Sequence, residues 1–309
     1  MKRIMIAGPT ASGKTALSIK LAEHLSGEII SVDSRQCYRY LDIGTAKPSK
    51  NELDKIPHHN ISILDLKEKD SVAAFKNRAD KYTEEIQSKD KTVIYCGGST
   101  LHLQSIIKPL DKIPTSNSDN VHELEEIAEK KGIEYLFNEL QLKDPEYANK
   151  MDGFNRQRII RALDVWRQTG RPFSSFHSND KIQLPQDLLV FIIDRPRIEL
   201  HKRISDRTEQ MIEKGLLAEV RMILDKGYDR NIQALQTVGY REAISFIDGE
   251  LPNDQMVKDI KTATRRYAKR QITWFRKWPF IHQLNAGEST EEQLLNQVLQ
   301  KVAANRQNR

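Results

Sequence analysis

The stretch RIMIAGPTASGKTALSIKLAEHL, Arg3 to Leu25, constrains the fold of this chain more than any other. Arg3 to Ala7 reads as a short buried strand, and Leu17, Leu21 and Leu25 recur at helical spacing. Between them lie Gly8, Pro9, Thr10, Ala11, Ser12, Gly13, Lys14 and Thr15, which fit the pattern G-x-x-x-x-G-K-[ST]. In such a loop, backbone amides and the start of the following helix cradle an anion. Lys14 adds a point charge, and the Thr15 hydroxyl is placed to ligate Mg²⁺. The loop recognises phosphate oxygens and does not identify what carries them.

The rest of the chain supplies the sheet that such a loop requires. GEIISVDS reads as a second buried strand ending at Asp33, KTVIYCGGS as a third ending at the Gly97-Gly98 pair, and DLLVFIIDR, Asp187 to Arg195, as a fourth. Helical segments lie between the first three, so the first 110 residues form a parallel, helix-covered sheet. From about Pro114 to Asn179 the sequence is charged and helix-forming, without β-branched runs. The expected fold class is therefore α/β, a P-loop NTPase-like parallel sheet covered by helices. Its core is discontinuous, residues 1–113 and 180–309, and residues 114–179 form a helical insertion domain. Long helices run from Arg195 to Gly227, another lies around Thr262 to Trp278, and a last one follows a T-E-E-Q capping box at Thr290.

No apolar run reaches the length of a membrane-spanning helix. The first strand and loop begin almost at the first residue, which leaves no room for a cleavable leader, so a cytoplasmic location is expected. Cys37 and Cys96 have no paired spacing and read as thiols. His58 and His59, adjacent after Pro57, are expected to be loop or packing residues rather than joint ligands of a metal. The formal net charge is +6, which favours a polyanionic partner, and its distribution matters more than its size.

That distribution is uneven. On a helical projection Arg265, Lys269, Arg276, Arg266, Lys277 and Arg270 fall within an arc of about 140° without a carboxylate, and Tyr267, Trp274, Trp278 and Phe275 fall behind them. Such a face suits a phosphate backbone; a solvated basic face is the plainer alternative. A second helix, NRQRIIRALDVWRQTG, carries Arg158 and Arg161 three apart, with Ile159, Leu163 and Trp166 available to a core. Asp33 should open on the same sheet edge as the glycine loop, where a carboxylate can accept a proton or hold Mg²⁺ through water; the structural alternative is a helix cap through Asp33 or Ser34.

GPTASGKT, SVDSRQCYRYLDIGTAKP, GGSTLHLQSI, NRQRIIRALDVWRQTG, VGYRE and ATRRYAKRQITWFRKW, in that order, resemble the bacterial tRNA dimethylallyltransferases, over nearly the whole chain. DIGTAKP and AKRQITWFR are the most specific of these matches. The resemblance implies transfer of a dimethylallyl group from dimethylallyl diphosphate to the exocyclic amine of the adenine just 3′ of the anticodon, with the tRNA anticodon stem-loop as partner. It implies a diphosphate site at Gly8 to Thr15, with Lys14 and Thr15 foremost and Mg²⁺ as the ion, and Asp33 as general base. Arg207, in RTEQM, would assist the diphosphate. The residues expected to meet tRNA are Asp33, Ser34, Arg35, Gln36, Gln157, Arg158, Ile159, Ile160, Arg161, Gln236, Thr237, Gly239, Tyr240 and Arg241, joined by Arg265, Arg266, Lys269 and Arg270 of the basic helix. The chain departs from the family at Ser99, which has a hydroxyl like the usual threonine and so keeps a place among the expected catalytic residues, and at His102, where an aromatic is common. No cysteine-histidine finger follows the core, which fits the bacterial form, and a monomer is expected.

Physical chemistry agrees with that implication. An adenine amine is a weak nucleophile, so the reaction leans on a stabilised leaving group more than on a strong base. A base embedded in a loop must turn out of its stack to react, so a channel ending at the cradle is expected. Two other enzymes fit the loop alone: a small-molecule kinase using ATP, and a prenyltransferase acting on free adenine nucleotides. A third possibility is an RNA-binding module that uses the loop only as a switch.

Overall fold

The computed structural model describes residues 3–177 and 184–307. In chain order the elements are β1 (Arg3–Ala7), α1 (Lys14–Leu25), β2 (Gly27–Val32), α2 (Lys50–Lys55), β3 (His58–His59), α3 (Val72–Ser88), β4 (Thr92–Gly97) and α4 (Thr100–Ile107). The insertion follows with α5 (Ser118–Lys131), α6 (Ile133–Lys143), α7 (Pro145–Asn149) and α8 (Arg156–Thr169). The chain returns with β5 (Leu188–Asp194), α9 (Arg197–Glu213), α10 (Leu216–Asp225), α11 (Tyr240–Ile247), α12 (Asn253–Phe275), β6 (His282–Asn285) and α13 (Glu291–Gln307).

Among the described residues, six strands form one parallel sheet in the order β3-β2-β4-β1-β5-β6. The four long strands carry continuous apolar runs because helices cover both faces. One core joins Ile4, Ile6, Ile94 and Phe191 of the sheet to Leu17 and Leu21 of α1 and to Leu295 and Val298 of α13. The capping box at Thr290 closes in both directions, with the Thr290 amide donating to Gln293 Oε1 and the Gln293 amide donating to Thr290 Oγ1. A second core packs α9 to α12 against the segment from Cys37 to Leu66, around Tyr38, Leu216, Tyr240 and Met256.

The chain divides into two compact units, Met1–Lys108 with Gln183–Arg309, and Pro109–Ile182. The second unit has its own core of Leu124, Leu136, Leu140, Ile159 and Leu163. It begins before Pro114 because Ile113 packs on that core and Arg161 donates to the Pro114 carbonyl. The other expected boundary, between residues 179 and 180, lies outside the described residues.

Two strands go beyond the expected sheet. β3 is two residues long and β6 is the polar HQLN, so neither has the apolar run that marks a buried strand. Both pair at the sheet edges, where one side faces no further strand. His59 and His58 therefore belong to a strand and not to a loop: His59 Nε2 lies 2.7 Å from Glu28 Oε2, and His58 Nδ1 lies 2.7 Å from the Ile56 carbonyl. The basic helix starts earlier and stops sooner than its sequence implies. It begins after Pro252 and ends at Phe275, where Trp278 folds back to pack edge-on against the Phe275 ring. Arg276 and Lys277 thus sit in the following turn instead of on the helical face.

Candidate active site

The carboxyl ends of β1, β2, β4 and β5 point to one edge of the sheet, and β1 lies where the chain winds outward in both directions. Gly8 to Gly13 leaves β1 and turns into α1, whose first amides have no partner within the helix. The loop is braced from outside by residues whose bracing role no local spacing in the sequence reports. Gln271 of α12 accepts from the Thr10 amide at 2.9 Å and donates to the Gly98 carbonyl at 2.7 Å. Arg203 Nε donates to the Ala11 carbonyl at 2.8 Å, and Arg195 reaches the Ser12 carbonyl. Gly97 is required by this closeness, since a Cβ there would stand 2.0 Å from the Val32 carbonyl oxygen, and a Cβ on Gly98 would displace the bracing Gln271 amide 2.4 Å away.

Beside the loop is an inner chamber of about 80 Å³ lined by Lys14, Thr15, Ser31, Asp33, Arg207 and Tyr267, with Ile29, Ala46, Pro48 and Ile61 as apolar wall. It shares Thr10, Asp33, Thr45, Arg207 and Tyr267 with an outer cavity of about 560 Å³. The two form one passage with the phosphate loop at its inner end. Burial, with a smaller push from the Arg207 charge, brings the Lys14 ammonium down to about 8 against the opposing pull of Cys96 and Asp33. Burial likewise lowers Arg207, with Asp33 opposing. Two desolvated cations thus face a single carboxylate, an arrangement completed by an anion.

Asp33 follows β2 directly and accepts through Oδ1 from the Arg35 amide at 2.8 Å and the Gln36 amide at 3.2 Å. It caps the turn and also opens on both chambers, so the capping bonds leave the carboxylate accessible to a bound substrate. Ser99 Oγ accepts from the Ser34 amide at 3.1 Å and fixes the other side of that turn. Tyr267 faces the same place. The helical projection puts it behind the cations as a packing residue; instead it lines the passage, its phenol beside Ser99 and Asp33, and burial pushes its pKa up to about 12. His102 is buried edge-on against Phe75, ring centroids 4.7 Å apart, and fills an aromatic slot with an imidazole.

The outer cavity is rimmed by Arg35, Arg241, Arg266 and Arg270, and Gln236, Thr237 and Gly239 line it too. Lys269 is exposed on the next turn of α12, and Arg265 is half-buried with Nη2 donating to Ser205 Oγ. Burial corrects three of the expected tRNA contacts, and two others already hold protein partners. Tyr240 is fully buried and donates to Glu219, so its side chain belongs to the second core. Ile159 and Ile160 are buried in the insertion core, which leaves Gln157 and Arg158 as the exposed groups of that turn. Arg161 is held by Asp164 at 2.8 Å and by Ser116, so its charge is already matched. Gln36 has its amide engaged by Ser31 and by the carbonyls of Thr45 and Ala46.

A parallel sheet with a phosphate loop on its inner strand and a cation-rimmed passage leading to it defines an α/β protein of the P-loop type. Residues 36–278 match the IPP transferase family. The chain is 40% identical over 306 residues to the tRNA dimethylallyltransferase of Carboxydothermus hydrogenoformans, covering 98% of each. Its structure is similar to that of the tRNA isopentenylpyrophosphate transferase of Bacillus halodurans, with TM-score 0.72, 34% identity and coverage of 99% of this chain and 97% of the other. It also resembles a eukaryotic dimethylallyltransferase captured acting on tRNA, with TM-score 0.80, 28% identity and coverage of 98% and 78%. The chain belongs to the IPP transferase family.

Proposed function

We propose that this chain transfers the dimethylallyl group of dimethylallyl diphosphate to the exocyclic N6 amine of the adenine 3′-adjacent to the anticodon in tRNA, releasing diphosphate. The observation that carries the reading is the passage itself. Lys14 lies at its inner end, Arg207 and Asp33 lie where the two cavities meet, and four arginines rim its outer end. The loop amides and Lys14 hold the diphosphate, and Arg207 meets the charge that grows on it as the allylic C–O bond breaks. Asp33 orients the adenine amine and takes its proton as the new C–N bond forms. Tyr267, protonated at physiological pH, lines the channel between the two substrates. Arg35, Arg241, Arg266 and Arg270 receive the phosphates flanking the everted base.

Magnesium fits the donor set. Thr15 lines the chamber beside Lys14, and its hydroxyl is an oxygen donor of the kind a hard dication takes. Thr15 would hold it, and when bound it adds neutralising charge to the leaving group. A single chain supplies every residue in this scheme, so a monomer working in the cytoplasm is the proposed state. Among the described residues no helix is long and apolar enough to cross a membrane.

Asp33→Asn is the direct test, because asparagine keeps the oxygen that caps Arg35 and Gln36 while losing the base. Transfer should fall by about 10²–10⁴-fold, with the affinity for inorganic pyrophosphate held within about threefold. Unchanged turnover would remove Asp33 from the chemistry.

A further inference from the structure

Buried on α10, away from the passage, Glu219 has no cation among its hydrogen-bond partners within the described residues. Its Oε2 accepts from the Asp42 amide at 3.1 Å and the Ile43 amide at 2.8 Å, and its Oε1 accepts from the Gly44 amide at 3.3 Å and the Tyr240 hydroxyl at 2.6 Å. Three consecutive backbone amides converging on one carboxylate fix the orientation of the turn that bears them. The fit is close: a Cβ on Gly44 would stand 2.4 Å from the Tyr240 ring.

The residue that follows this anchored triplet is Thr45. Its carbonyl accepts from Arg207 Nη2 at 3.2 Å and from Gln36 Nε2 at 3.3 Å. Ala46 comes next with φ of 46°, a left-handed conformation that an alanine holds only when its surroundings impose it. Lys47 pins the far end of the turn, with Nζ donating to the Tyr38 carbonyl and to Ser62 Oγ, both at 2.8 Å. The turn is thus clamped at both ends, and the carbonyl that aims Arg207 lies next to the Glu219 clamp. Tyr240 extends the same clamp to the segment Gln236 to Arg241 on the outer cavity.

We infer that Glu219 is a positioning residue for the transfer reaction, acting through the Asp42–Gly44 turn to hold the Thr45 carbonyl against Arg207 at the phosphate end of the passage. The inference rests on the proposed transfer reaction. It identifies a physical task for part of DIGTAKP: the main chain, not the side chains, of Asp42, Ile43 and Gly44 is what the carboxylate reads.

The test is a double-mutant cycle of Glu219→Gln and Arg207→Ala. It is read in kcat/KM for dimethylallyl diphosphate with tRNA and, separately, in the affinity for inorganic pyrophosphate. In Glu219→Gln the carboxamide presents an NH₂ to amides that are themselves donors, so the turn shifts while the side-chain volume is kept. Each single variant should lose about 10–100-fold in kcat/KM, and the double variant should sit within about threefold of Arg207→Ala alone, because both changes remove the same aimed guanidinium. Additive losses, or a Glu219→Gln enzyme with wild-type kcat/KM, would overturn the inference. If Glu219→Gln does not fold, Tyr240→Phe, which removes one donor to Glu219 and keeps the ring, is read in the same cycle by the same criterion. Absence of transfer by the wild-type enzyme would defeat the proposed function instead, and the pyrophosphate cycle would still decide the coupling.

Discussion

Lys14 and Arg207 are cations that burial disfavours, and they are held in place around a single carboxylate. The Lys14 charge is most valuable where negative charge grows in the transition state, so Lys14→Met should lower kcat by about 10²–10³-fold. Single-turnover measurement at saturating substrate checks this, and a change confined to KM would mean that the ammonium binds ground state and transition state alike. Cys37 is a simpler case. Burial pushes its thiol up to about 12, and its Sγ lies 3.7 Å from Asp70. A raised thiol pKa leaves the unreactive protonated form at neutral pH. Cys96 is raised for the same first reason, burial. Alkylation with iodoacetamide at pH 8 should therefore be slow at both positions in the native protein and complete in denaturant. Fast labelling of native Cys37 would show that the segment around it opens. Among single residues, those that belong to a spaced motif, such as Lys14 and Thr15, are legible in the sequence. Gln271, Glu219 and Tyr267 are not, because their roles depend on which way a helix faces once it packs, and no local spacing reports that.

Helix α12 shows the same limit one level up. Its cations are legible as a stripe, but the stripe has two neighbours: exposed Lys269 and Arg270 look outward, while Tyr267 and Gln271 turn toward the phosphate loop. Replacing Lys269 and Arg270 together with alanine should reduce the slope of log affinity for tRNA against log salt by about 1.5, at roughly 0.7–0.9 for each phosphate that is no longer neutralised. Filter binding at several salt concentrations measures it, and an unchanged slope would leave those charges as a solvated face. In the insertion, Ile159 is expected at the RNA and is instead core. Ile159→Ala should cost about 2–5 kcal/mol of that unit's stability, read from denaturant unfolding, with the affinity of the folded enzyme for tRNA unchanged. The short edge strands β3 and β6 escape a sequence reading because edge pairing asks for exposed backbone, not for an apolar run.

At the scale of the whole chain, the parallel sheet, the discontinuous core and the helical insertion can be read from buried runs, from the loop between β1 and α1, and from the change of composition after β4. The passage cannot, because it is assembled from β2, the turn at Gly44, α9 and α12, which are far apart in sequence and meet only through the second core. The passage is also what separates the reading from its rivals. A kinase would need ATP at the loop, and a transferase for free nucleotides would have no use for the arginine rim. Incubating the enzyme and Mg²⁺ with labelled dimethylallyl diphosphate and, in parallel, unmodified tRNA, AMP or no acceptor, followed by nucleoside analysis, tests the central claim most directly. Label is expected on the N6 of the adenosine 3′ to the anticodon in tRNA and none on AMP. Label on AMP but not on tRNA, or turnover of ATP in place of the prenyl diphosphate, would contradict it.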